Sequence, residues 1–155
     1  MTGPGTSNPG AERHRILREL RQQIESHPAV ERARGHPDGE YSEVTAALDP
    51  SFFGRRGESA TLRMTWYPIP ESQSAEIRPE RPRTSFTFHY SEVGGYDCGF
   101  HNEPNPHVDG WFHFQERSSP AEAYEYVPAE LEARTPPSAV WEMLDQLAAR
   151  LQQTA

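Results

Sequence analysis

The sequence predicts an α+β domain, an antiparallel β-sheet meander of five or six strands flanked by an N-terminal and a C-terminal helix packed on one face. Three observations carry this. Apolar residues recur at helical spacing near both ends of the chain. Between them, apolar and polar residues alternate with period two. The alternating segments follow one another through turns and loops, without the intervening helices of βαβ units, which excludes a parallel sheet. A length of 155 residues fits one domain. Residues 1–10, rich in Gly, Pro, Ser and Asn, read as a disordered arm. Residues 11–155 form the single domain.

In the first helix, Ala11 to Ser26, Ile16, Leu17, Leu20 and Ile24 fall on one face, and Pro28 ends it. Gly35, Pro37 and Gly39 mark the next stretch as a loop. Tyr41 to Leu48 reads as a strand, and Asp49 to Gly57 as a turn. From Ala60 to Tyr67, Leu62, Met64 and Trp66 alternate with Arg63, Thr65 and Tyr67, a strand stopped by Pro68 and Pro70. Glu71 to Arg83 is polar and reads as a flexible connection.

Thr84 to Glu92 is the clearest strand. Phe86, Phe88 and Tyr90 share one face, and Thr87 and His89 the other. Gly94 and Gly95 predict a two-residue hairpin turn, with Tyr96 to His101 returning as its partner. Asn102 to Gly110 is a loop. Trp111 to Glu116 is a further strand, with Phe112 and Phe114 opposite His113. Tyr124 to Val127 is a short edge strand. Thr135 and Pro136 open the last helix, whose stripe is Val140, Trp141, Leu144, Leu147, Ala148 and Leu151.

Composition narrows the function classes. Hydrophobic content is 34%, with fifteen Pro and eleven Gly, which implies a modest core and many turns. No apolar run reaches the roughly 18 residues of a membrane span. The first ten residues lack the basic start and apolar core of a signal peptide. The lone Cys98 has no partner for an internal disulfide, so the expected compartment is the cytoplasm. Cys98 itself reads as a small packed side chain rather than a nucleophile. Every basic residue is Arg, which fits either high-GC codon usage or a salt-adapted proteome. The net charge of −8 excludes a nonspecific nucleic-acid coat. Its distribution is uneven, because residues 11 to 36 and 55 to 83 each carry six Arg against four Glu. Residues 85 to 130 carry only Arg117 against eight acids.

Four of the seven histidines, His89, His101, His107 and His113, lie in that acidic stretch. A meander can gather three of them on one sheet face, with His107 in the loop beside them. Two neighbouring imidazoles suit metal-independent RNA cleavage, one taking the 2′-hydroxyl proton and the other donating to the leaving oxygen. His107 and His113 are the expected acid/base pair, with Arg117 and His101 orienting the phosphate. Three histidines also suit zinc with one open position, although no zinc spacing signature is present. The bland alternatives are polar surface residues at His89 and His113, and turn hydrogen bonding by Asn105 and His107.

The run Phe100-His-Asn-Glu-Pro-Asn-Pro-His107, then Trp111-Phe-His-Phe-Gln115, then Pro136-Pro-Ser138, resembles the TumE-type family of toxins from toxin–antitoxin pairs. The likeness spans Thr84 to Leu151. The family's basic residue before the Asn motif is His101 here, its Asp-Asn becomes Asn102-Glu103, and its dense His cluster shrinks to His113. The resemblance implies a toxin acting on RNA, held inactive by an antitoxin with a helix-turn-helix domain. It adds Asn102 to the candidate residues, and with His89 this makes a substrate-binding pair. It calls for no cofactor and no metal. A non-catalytic protein-binding module, or an inactive relative of such toxins, is the competing expectation.

Overall fold

The structure, a computed structural model, describes residues 9–67 and 85–153. The first eight residues of the expected arm and the Glu71–Arg83 connection lie outside them. Pro9 and Gly10, assigned to the arm from sequence, already belong to helix α1, Pro9–Ile24. Ile16, Leu17, Leu20 and Ile24 are its buried face.

Seven strands follow, not five or six: β1 (Val30–His36), β2 (Glu43–Leu48), β3 (Ala60–Tyr67), β4 (Ser85–Glu92), β5 (Asp97–Asn102), β6 (Phe112–Arg117) and β7 (Glu125–Pro128). They form one sheet in sequence order, each antiparallel to the next. Helix α2, Pro136–Gln153, closes the chain.

The extra strand is β1, in the stretch whose glycines and proline read as loop. Its helix-side positions are filled by Ala33 and Gly35, so it lacks the large apolar alternation by which a strand is recognised. Gly35 is required there. A Cβ at that position would sit 2.2 Å from the Tyr41 ring, which lies across the strand. The expected turn at Asp49 is a 3₁₀ turn, Pro50–Phe53, capped by the Asp49 carboxylate accepting from the Ser51 amide at 3.0 Å. The β4–β5 hairpin also differs. Only Gly95 takes positive φ, at 112°, and the Glu92 carbonyl accepts the Gly95 amide at 3.0 Å. The loop is therefore Val93–Gly95, a turn followed by a left-handed glycine.

Both helices cover one face of the sheet. The core they close contains a layer of rings from adjacent strands: Trp66 stacks on Phe86 at 4.9 Å, Phe100 on Phe112 at 5.8 Å, and Phe100 meets Phe114 at 5.1 Å. Arg150 of α2 lays its guanidinium over Phe114, 4.2 Å from the ring centroid. The indole Nε1–H of Trp141 donates to Gln23 Oε1 at 3.1 Å and ties α2 to α1. Cys98 is buried in this layer, its thiol pushed up to about 12 by desolvation. Among the described residues, no helix is long and apolar enough to cross a membrane.

Leu147 is fully buried on α2, and its replacement by Ala is expected to cost about 2–5 kcal/mol in urea unfolding. Val93, 77% exposed at the hairpin tip, is the contrasting position, where Ala should change stability by less than about 0.5 kcal/mol.

Candidate active site

Among the described residues, no helix lies on the other face of the sheet, and its residues fall into rows because the pleat alternates sides with period two. In one row, His36, Glu43, Thr65, Thr87, His101, His113 and Pro128 are cross-strand neighbours in that order. The adjacent row runs Arg34, Thr45, Arg63, His89, Gly99, Gln115, Tyr126. Three of the four candidate histidines thus share this open face, as the alternation against Phe86, Phe88, Phe112 and Phe114 requires.

His89 and His101 touch. Their Nδ1 and Nε2 atoms are 3.0 Å apart. Each ring is held on its far nitrogen by a carboxylate, His89 Nε2 by Asp97 Oδ1 at 2.8 Å and His101 Nδ1 by Glu103 Oε1 at 3.1 Å. This contact depends on Gly99. A Cβ there would fall 2.5 Å from the Phe88 carbonyl oxygen and 2.7 Å from His89 Nδ1. The imidazole lies in the space that any other residue would fill, which accounts for a glycine in the middle of a central strand.

The three linked contacts determine a proton count. Burial pushes the Asp97 carboxyl up, but hydrogen bonds from Tyr124, Arg117 and His89 outweigh it and hold the group below its ordinary value. The hydrogen bond from His101 lowers the Glu103 carboxyl. Both carboxylates are therefore ionised near neutral pH and only accept. Satisfying all three links then takes three N–H protons on two rings, one more than two neutral imidazoles carry. Desolvation, then the charge of His101, lowers the basicity of His89 against the opposing pull of Asp97. An N–H at every link therefore requires one ring of the pair to be protonated, and burial disfavours that charge on His89.

Asp97 is the hub of the cluster. It is buried, and besides His89 it accepts from Tyr124 Oη at 2.6 Å and from Arg117 Nε at 2.7 Å. The Arg117 guanidinium also lies over the Tyr124 ring at 4.3 Å. Arg117, expected to orient a phosphate, is thus committed to Asp97.

The remaining candidates are placed differently. His113 is on the same face but fully buried. Its ring stacks on His101 at 5.7 Å, and its nitrogens meet the Trp111 carbonyl and Gln115 Oε1, each at 3.1 Å. His107 lies in the exposed loop. Its ring is parallel to Tyr126 at 4.9 Å, and Tyr126 meets His113 edge-on at 5.9 Å, so His107 and His113 are joined through a tyrosine. Asn102 is fully buried and lies between Phe86 and Phe112 on the helix side of the sheet, away from the imidazoles. The residues that sequence reasoning did not single out are Asp97, Gly99, Glu103, Tyr124 and Tyr126. Gly99, an isolated glycine in an alternating segment, was the available signal.

Two clefts of about 410 and 560 Å³ lie beside this face, one lined by Arg55, Tyr96 and Glu116, the other by Trp111, Phe112 and Leu131. The imidazole pair lines neither. Both rings are part-buried, with side chains 20% exposed at His89 and 12% at His101. Among the described residues, no group of three or more His, Cys, Asp or Glu side chains is arranged to hold a metal ion. Searches of protein-family models, curated proteins and solved structures found no match to the chain.

Asp97→Ala leaves three donors without their acceptor, and the expected loss is about 2–3 kcal/mol in urea unfolding. Gly99→Ala should displace the His89 ring while costing about 1–3 kcal/mol. Imidazole ¹⁵N chemical shifts read the contact directly. Unchanged His89 and His101 shifts in a folded Gly99→Ala protein would refute the role given to this glycine.

Proposed function

We propose that the chain is a toxin-like, metal-independent endoribonuclease whose acid/base couple is His101 and His89. The observation that carries this reading is the direct contact between two imidazoles, each anchored by its own carboxylate. Cleavage of RNA by its own 2′-hydroxyl needs one base and one acid at the same phosphate. Neutral His89 removes the hydroxyl proton, and His101 gives its proton to the departing 5′-oxygen. In the resting site the two rings satisfy each other. A phosphodiester seated between them replaces that single contact, while Asp97 and Glu103 keep the ring orientations. His113, stacked on His101, fixes that ring and donates no proton itself.

The resemblance to TumE-type toxins supplies the biological setting of the proposal: an RNA target in the cytoplasm and a partner antitoxin with a helix-turn-helix domain. A non-catalytic protein-binding module is the rival. What favours it is that both nitrogens of His89 and of His101 already have a partner in the network.

Expression of the chain alone should arrest growth with fragmentation of total RNA, and His101→Ala should lower cleavage by roughly 10²–10⁴-fold. Intact RNA and normal growth with a folded protein would decide for the binding module. Arrest that persists in His89→Ala and in His101→Ala would remove these two residues from the chemistry.

The pH profile gives an independent check. Cleavage should rise with pH through the titration of His89, which burial places below the ordinary histidine value of 6.5. Asp97 opposes that lowering, so Asp97→Asn should move the acid limb of kcat/KM to still lower pH. An acid limb that moves upward in Asp97→Asn would contradict the assignment of His89 as the base.

A further inference from the structure

We infer that the sheet face opposite the helices is a track for single-stranded RNA, with the exposed Arg34 and Arg63 holding the phosphates that lead into the part-buried histidine pair. The inference rests on the ribonuclease reading and names the substrate's conformation and path.

The first support is charge. The paired open-face positions, with Glu103, carry four arginines against three carboxylates, a net +1 with histidines neutral, inside a chain of net −8. This is a positive surface on an acidic molecule, the complement of a polyanion.

The second support is register. Arg34, Thr45, Arg63 and His89 are successive neighbours across four strands. Strands lie roughly 4.8 Å apart, so Arg63 is one strand from His89 and about 10 Å from Arg34. A phosphate held by Arg63 places the next linkage beside the imidazoles. Arg63 is free to do this where Arg117 is not. Its side chain is 60% exposed, and its ion pair is with Glu43 on the surface. Exposed pairs contribute only about 0–1 kcal/mol, less than exchange for a phosphate returns. Asp97, the partner of Arg117, is only 8% exposed and serves three donors.

The third support is the far end of the row. Tyr126 carries the parallel, exposed ring of His107. A nucleobase extends that stack, which requires an unpaired base with an open face. A duplex keeps its bases stacked on each other and offers none.

The test separates binding from cleavage by using the folded His89→Ala/His101→Ala protein and a short fluorescein-labelled oligouridylate. Arg34→Ala/Arg63→Ala added to it should weaken binding tenfold or more and reduce the salt slope of log K by about 1.4. Arg18→Ala, an exposed arginine on α1 behind the sheet, should change neither. Equal binding with and without Arg34 and Arg63, or tighter binding of an RNA duplex, would overturn the track. So would absence of binding by this variant while the unmodified protein cleaves RNA, an outcome that leaves the catalytic reading standing. Arginine-dependent binding by a protein that leaves RNA intact would support the track and remove the nuclease.

Discussion

The pleat of β4, β5 and β6 couples the core to the candidate site, and every other arrangement in the molecule follows from that coupling. Phe86, Phe88, Phe100, Phe112 and Phe114 interlock beneath the helices. The residues between them have no choice of side, so His89, His101 and His113 emerge together on the other face. Slipping one strand by a residue would bury imidazoles and expose rings. The apolar layer therefore sets the distance between His89 and His101 more strictly than any hydrogen bond between them.

Electrostatics follows the same division. Within the sheet face, a buried carboxylate gathers a histidine, an arginine and a tyrosine. Asp97 stays ionised because three donors compensate for its burial. A buried charge of this kind is costly unless fully bonded. The cluster satisfies that condition through residues from β4, β5, β6 and the segment leading into β7.

Much of this was legible in the sequence. Both helices, the alternation of β3, β4 and β6, and the side on which His89 and His113 emerge could all be read from period and parity. β1 could not, because Ala33 and Gly35 give no apolar signal and the strand is recognised only by its pairing with β2. The partnership within the site was also hidden. Sequence proximity to a Pro-bracketed loop favoured His107 with His113, whereas register brings His89 to His101 across the emptiness of Gly99. Nor did the pattern distinguish an Arg117 available to a ligand from one already engaged. That depends on Asp97, which lies across the sheet and twenty residues earlier in the chain.

A sheet whose strands pair in sequence order joins each strand to its neighbour in the chain. The histidine pair belongs to a single hairpin, with its two members only twelve residues apart. Closing the Val93–Gly95 loop brings both imidazoles and Asp97 into register in one event.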